Sequence, residues 1–213
     1  MKYIIMCGGK YENWETPRQL MKIRGEEIVA RTVRLLKENG IEDIAISSDN
    51  PAFDNFGVPR LEHDNDFSLK DESTYWMAAF YPTDEPTTYL FGDVVYSPEA
   101  IRKIIETETD DIEFFGSCPP YGEGYFKPYQ EPFAFKVVDT DHLKQAIIDC
   151  KENDKAGMFW RRPIAWELWT TIKDGVLSEI PDVYKPNYTA INDYTCDVDS
   201  IDDAAKIEAA MPR

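Results

Sequence analysis

Apolar and polar positions alternate along this chain in blocks that read as strands and helices in turn. Tyr3-Ile4-Ile5-Met6 is a short continuous apolar run, as a strand buried on both faces requires, and it stops at Cys7-Gly8-Gly9. From Glu26 to Asn39 the positions Ile28, Val29, Thr32, Val33, Leu35 and Leu36 recur at helical spacing, and Asn39-Gly40 supplies a C-cap. Ile44-Ala45-Ile46-Ser47-Ser48 reads as a second buried strand closed by Asp49, Asn50 and Pro51. The same grammar then repeats. A helix is expected over Glu72 to Tyr81, a strand over Thr88-Tyr89-Leu90-Phe91, and a helix from Pro98 to about Thr107 behind the N-cap Ser97. Ile112-Glu113-Phe114-Phe115 and Phe133 to Val138 are strands flanking a glycine-, proline- and tyrosine-rich loop from Cys118 to Pro132. Helices are expected over Thr140 to Cys150, Phe159 to Lys173 and Ser200 to Ala210. The alternation predicts an α/β fold layered around a mostly parallel sheet. No internal repeat, low-complexity tract or linker interrupts it, so residues 1–213 are expected to form one domain.

Composition narrows the function. The 213 residues are 43% hydrophobic and 13% aromatic, enough for one substantial core. No stretch approaches the roughly 18 consecutive apolar residues of a membrane span, and Met1-Lys2 leads into a run lacking a signal peptide's length and cleavage site. A cytoplasmic location is expected, without membrane attachment. The net charge of -17, from 40 acidic and 23 basic residues, repels nucleic acid and anionic lipid. An anionic small molecule therefore needs a local cluster of Lys, Arg, backbone N–H groups or metal. The scattered Cys7, Cys118, Cys150 and Cys196 show no zinc spacing and are expected as free thiols.

Ligands of open α/β sheets bind beyond the carboxyl ends of the strands, so residues just after each strand carry the most information. Two places stand out: the loop Cys7-Gly8-Gly9-Lys10 through Thr16-Pro17-Arg18-Gln19-Leu20, and Asp93 after the strand ending at Phe91. Paired glycines let backbone N–H groups approach phosphate oxygens, and Lys10 and Arg18 can neutralise them. Each feature also has a plainer reading, since Gly-Gly forms tight turns and Asp is a routine turn residue.

The stretch Cys7-Gly8-Gly9-Lys10, followed by Thr16-Pro17-Arg18-Gln19-Leu20-Met21-Lys22-Ile23-Arg24-Gly25-Glu26 and a helix, resembles the nucleotidyltransferase superfamily. That superfamily includes methylerythritol-phosphate and phosphocholine cytidylyltransferases and hexose-phosphate and molybdenum-cofactor nucleotidyltransferases. Here the glycine loop is abbreviated and Arg18 replaces the customary lysine, which keeps the charge and can fork onto phosphate oxygens. Lys70-Asp71-Glu72-Ser73 looks like the basic-x-x-Ser segment that touches the nucleotide in cytidylyltransferases. Leu90-Phe91-Gly92-Asp93-Val94 looks like the metal-binding aspartate motif, and Cys196-Asp197-Val198-Asp199-Ser200-Ile201-Asp202-Asp203 resembles the closing Asp-Ile-Asp-Thr-Pro-Glu-Asp segment with Ile201 in place of proline.

The resemblance implies a three-layer α/β/α Rossmann-like sandwich of the GT-A-like kind. The nucleotide-binding half would lie over about residues 1–110 and the acceptor-binding half over about 111–213. It implies Mg²⁺ or Mn²⁺ held by Asp93, Asp197 and Asp199, with Cys7, Gly8, Gly9, Lys10, Arg18, Lys70 and Ser73 at the nucleotide and Lys10, Arg18 and Asp93 in the catalytic roles. Asp199 also reads as the capped acidic start of a helix. The implied reaction is attack of a substrate phosphate on the α-phosphorus of a nucleoside triphosphate, with pyrophosphate leaving. CTP is favoured, on the Lys70 to Ser73 segment. No nucleophilic side chain is needed, and His63 and His142, the only histidines, form no triad pattern. The acceptor, a phosphorylated small molecule bound for polysaccharide or lipid precursors, is the less legible partner. Arg161, Arg162 and Glu131 are its candidate contacts, amid the aromatic density of Tyr121, Tyr125, Phe126, Tyr129, Phe133, Trp160, Trp166 and Trp169. A glycosyltransferase of the same fold and a silent nucleotide-binding regulatory module are the rival readings. A homodimer is the expected assembly if the chain associates.

Overall fold

The computed structural model describes residues 1–8, 16–64, 75–174 and 187–212. In chain order its elements are β1 (Lys2–Met6), β2 (Lys22–Ile23), β3 (Glu26–Glu27), α1 (Ile28–Glu38), β4 (Ile44–Ser47), β5 (Arg60–Leu61), β6 (Thr87–Phe91), β7 (Val94–Val95), α2 (Pro98–Glu106), β8 (Ile112–Gly116), β9 (Pro132–Val137), α3 (Thr140–Lys155), α4 (Ala165–Asp174), β10 (Thr189–Ala190), β11 (Cys196–Asp197) and α5 (Ile201–Ala210). Three 3-10 turns, Arg18–Leu20, Pro51–Phe53 and Trp76–Ala79, fall between them.

Seven strands form the central sheet in the order β10-β8-β9-β6-β1-β4-β5. β1 pairs in parallel with β4 and β6, whereas β9 runs antiparallel to both β6 and β8. Every residue of β4 and β6, and all of β1 after Lys2, is buried. A sheet buried on both faces needs a helical layer on each, which is the sandwich the strand-helix alternation predicts.

Caps set several element boundaries. The backbone N–H groups of Gly40 and Ile41 donate to the carbonyls of Lys37 and Leu36, a Schellman closure of α1, with Gly40 at φ 78°. The same closure at Gly157 (φ 71°), through Asp154 and Asn153, lets α3 run past its expected end at Cys150 to Lys155. Ser97 and Ser200 cap α2 and α5.

Two expected helices differ. Over Glu72 to Tyr81, the described part is only a 3-10 turn at Trp76–Ala79. Pro82 disfavours a helical Tyr81, and Trp76 and Phe80 turn inward to meet Phe91 and Phe135 at ring-centroid distances of 5.3–5.4 Å. The helix expected from Phe159 begins at Ala165, because Pro163 interrupts it and Glu167 Oε2 accepts the Ile164 N–H at 3.0 Å. Arg161 and Arg162 thus precede the helix. Trp169 is fully buried and stacks on Phe114.

A second, smaller apolar cluster joins chain segments far apart in sequence. Ile23 and Ile28 meet Val95, Cys196, Val198, Ile207 and Met211 there. Arg24 fastens the same junction by donating to the carbonyls of Glu208, Met211 and Pro212. Arg24 (φ 51°) and Gly25 (φ 83°) form the two-residue β2–β3 turn, whose doubly left-handed backbone is that of a type I′ hairpin.

Candidate active site

Strand order reverses beside β1, because the chain leaves β1 for β4 on one side and later returns at β6 on the other. The crevice at the carboxyl ends of such strands is where α/β sheets bind ligands. At that edge Gly92 follows β6, and its N–H donates to the Met6 carbonyl at 3.0 Å. A Cβ on Gly92 would lie 2.5 Å from Met6 O and 2.6 Å from Cys7 Sγ. Only glycine lets the two strand ends close this tightly, and Asp93 emerges directly above them.

The other aspartates reach Asp93 through a short ladder. β7 pairs antiparallel with β11, setting Val94 against Asp197 and Val95 against Cys196, and the Val198 N–H donates to the Asp93 carbonyl at 3.0 Å. Asp197 and Asp199 are thereby carried to the end of β6 from a hundred residues away. Arg18, the first residue of the 3-10 turn after Pro17, locks this arrangement. It donates to Asp93 Oδ2 at 3.0 Å, to Asp199 Oδ1 at 2.7 Å and to the Val198 carbonyl at 2.9 Å. Gln19 is buried beside it, with Nε2 donating to the Gly8 carbonyl at 3.4 Å.

The loop leading into β9 completes the cluster. Ser117 and Glu131 exchange hydrogen bonds across its neck: Ser117 N–H to Glu131 O at 2.8 Å, and Glu131 N–H to Ser117 Oγ at 2.7 Å. Ser117 Oγ donates to Tyr125 Oη at 2.7 Å, and Tyr125 in turn donates to the Tyr129 carbonyl at 2.8 Å. This stitching points Lys127 inward, leaving its side chain only 4% exposed. Its Nζ donates to Glu131 Oε1 at 3.0 Å, to Asp199 Oδ2 at 2.8 Å and to Asp197.

Electrostatics follow from this crowding. Burial, then the Asp197 charge, pushes the Glu131 carboxyl up to about 8, against the pull of Lys127. Burial, then Asp199, pushes Asp197 up to about 6. Asp93 is also raised by burial, with Arg18 opposing. Asp199, the most exposed at 49%, is pushed up by burial too, but Lys127 and Arg18 outweigh that and hold it below the usual carboxylate range. Lys127 is raised, because Asp197 and Glu131 overcome the cost of its burial. Cys7 behaves as a buried thiol, raised well above its usual value by burial and the nearby Asp93.

Arg18, Asp93, Asp197, Asp199 and Glu131 thus come together, with Gly8 and Cys7 beneath them. The Cys7 N–H is committed to the Ser47 carbonyl at 2.9 Å within the sheet. Gly9, Lys10, Lys70 and Ser73 lie outside the described residues. Arg161 donates to Glu167 at 2.6 Å and lies against the ring of Trp160, itself 78% exposed, while Arg162 covers the Tyr75 ring. His142 pairs with Asp111 at 2.6 Å, and His63 Nε2 lies 2.8 Å from the Ala78 carbonyl.

Lys127 is the residue sequence reasoning missed. It is the only basic residue between Cys118 and Pro132, four positions before Glu131, and that isolation in an aromatic loop is the signal that was available.

Carboxylate oxygens of Glu131, Asp197 and Asp199 lie within 4.8 Å of one another, a hard-oxygen donor set that fits Mg²⁺ or Mn²⁺. Among the described residues, Arg18 and Lys127 are the cations hydrogen-bonded to Asp93, Glu131, Asp197 and Asp199.

Solved structures share this architecture over nearly the whole chain. One described as a glucose-1-phosphate thymidylyltransferase from Bacillus anthracis matches with a TM-score of 0.61 at 16% identity, covering 98% of this chain and 94% of that one. The fold is that of the nucleotidyltransferases. An inositol-1-phosphate CTP transferase from T. maritima matches at 0.56 and 13% identity, over 100% and 98% of the two chains. A CTP:phosphocholine cytidylyltransferase from Streptococcus pneumoniae matches at 0.50 and 16%, over 98% and 97%. No family model matches the sequence, and no curated protein does. Within this nucleotidyltransferase fold, no helix of the described residues is long and apolar enough to cross a membrane.

Proposed function

We propose that this protein is a metal-dependent nucleotidyltransferase that joins a nucleoside triphosphate to a phosphorylated small molecule and releases pyrophosphate. The observation that carries the reading is the convergence of Asp93, Asp197 and Asp199 with Arg18 and Lys127 at the switch point of the sheet. Asp93, Asp197, Asp199 and Glu131 are the carboxylates available to hold Mg²⁺, which when bound would neutralise phosphate charge and withdraw electrons from the α-phosphorus. Arg18 fixes Asp93 against Asp199, so the ligands are gathered before substrate arrives. Lys127, buried against Glu131, Asp197 and Asp199, is the cation that would meet the acceptor's phosphate once released from them. The stacked Tyr121 and Tyr125 rings, 4.4 Å apart, and the exposed Tyr129 give that side an aromatic wall.

CTP is the favoured triphosphate. The Lys70 to Ser73 segment supports it, as do the two CTP-using enzymes among the structures sharing the fold. Sugar 1-phosphates, an inositol phosphate and phosphocholine are the acceptors to try first. Pyrophosphate release with Mg²⁺, measured for CTP, UTP, dTTP, GTP and ATP against those acceptors, is expected to appear for one triphosphate and to require one acceptor. Triphosphate binding without pyrophosphate release from any pair would instead favour a silent binding module.

A further inference from the structure

Three of the four carboxylates proposed for the divalent ion, Glu131, Asp197 and Asp199, group closely and are the three that hold Lys127. Lys127 takes one oxygen of each, and a divalent cation drawn onto the same three carboxylates would lie close enough to the ammonium, in a poorly solvated site, for their repulsion to be large. Arg18 raises no such conflict, because it grips Asp93, Asp199 and the Val198 carbonyl from the strand side. Lys127 comes from a loop, and the ring of Tyr129, 53% exposed, lies 5.7 Å from its Nζ and marks a way toward solvent.

We infer that Lys127 is a built-in counter-ion that a divalent cation must displace from Glu131, Asp197 and Asp199, so that lysine-filled and metal-filled forms of the site exclude each other. This rests on the metal-dependent reading above. It adds a coupling that the reading alone does not contain. Metal entry releases a buried ammonium toward the acceptor side, where it can take up an anionic oxygen. By reciprocity, an anion that draws Lys127 away raises the affinity for metal. Without such an anion Lys127 stays on the three carboxylates and the protein binds metal weakly.

Two measurements test this. In the wild-type protein, acylation of Lys127 by a small N-hydroxysuccinimide ester, followed by mass spectrometry, is expected to be slow without metal and about ten-fold or more faster with saturating Mg²⁺, a ratio of about 1.4 kcal/mol in accessibility. The buried Lys136 serves as the internal reference against general opening. Titration calorimetry with Mn²⁺ is expected to show Lys127→Met binding the ion about ten-fold or more tightly than wild type. Unchanged acylation at saturating Mg²⁺, or equal Mn²⁺ affinity in the variant, would overturn the inference and put the ion elsewhere, with the lysine retained. Absence of Mn²⁺ binding in both proteins, even with triphosphate added, would overturn the metal reading itself. If Lys127→Met fails to fold, the acylation result on the wild type decides alone.

Discussion

Two lysines enter the interior at opposite ends of β9. Because this strand runs against its neighbours, the loop entering it carries Lys127 to the carboxyl edge of β1 and β6, and Lys136 near its end lies at the opposite edge. Lys136 donates to the carbonyls of Ile105 and Thr107, at 2.9 and 2.6 Å, completing the C-terminal end of α2. Burial costs both ammonium groups. With dipoles as partners, Lys136 stays below its usual pKa, whereas Lys127 among carboxylates rises above it. The first is a neutral-partner cap of a helix. The second is tied into the carboxylate cluster proposed to hold metal. Partner chemistry, and not depth, sets the opposite directions of these two shifts.

The sharpest break in this comparison comes from the acidic edge. Asp93→Ala removes a proposed metal ligand at a strand end without opening the core, and kcat for pyrophosphate release is expected to fall by about 10³-fold, on the order of 4 kcal/mol. Circular dichroism and the unfolding midpoint should stay close to wild type, since Arg18 retains Asp199 and Val198. Full activity would remove Asp93 from the site. The lysines then divide the effect. Lys127→Met should lower kcat/KM by about 100-fold, roughly 3 kcal/mol of transition-state stabilisation. Lys136→Met should leave kcat/KM within about two-fold while costing about 1–3 kcal/mol in denaturant unfolding, because two carbonyls lose their donor. An Lys136 variant with impaired turnover and intact stability would erase the distinction.

The sequence was readable where structure is local. The buried runs of β1, β4 and β6, the helical spacing of α1 and the caps at Ser97, Ser200 and Asn39-Gly40 each announce themselves within a few residues. Asp93, Asp197 and Asp199 were legible as candidates because each sits in a short motif. β7 and β11, two residues apiece, are too short for any periodicity, yet their pairing carries Asp197 to Asp93. Lys127 was silent for the same reason, since its meaning depends on partners seventy residues away. The helix expected over Glu72 to Tyr81 gave way because aromatic packing of Trp76 and Phe80 outweighs a weak local preference.

The smallest expected effect separates the two edges by pH. Glu131 and Asp197 have folded-state pKa values raised above the ordinary 4.5 and 3.8, to about 8 and about 6. Groups raised in this way keep their proton in the folded protein after the unfolded chain has lost it, so their contribution to stability is complete below about pH 4 and is lost as pH climbs through 6 to 8. In EDTA, the unfolding free energy should therefore decline between pH 5 and 8 beyond any general drift. Glu131→Gln, which cannot ionise, should remove the part of that slope above about pH 6 and leave the Asp197 part below it. Asp199 adds nothing in this window, being lowered and losing its contribution only in acid. The lysines stay out of it as well. Lys127 is raised from 10.5, so its contribution declines only in strong alkali, whereas lowered Lys136 is relieved as pH rises toward 10.5. A neutral-range slope that persists in Glu131→Gln and vanishes in Lys136→Met would assign the stored charge to the wrong end of β9.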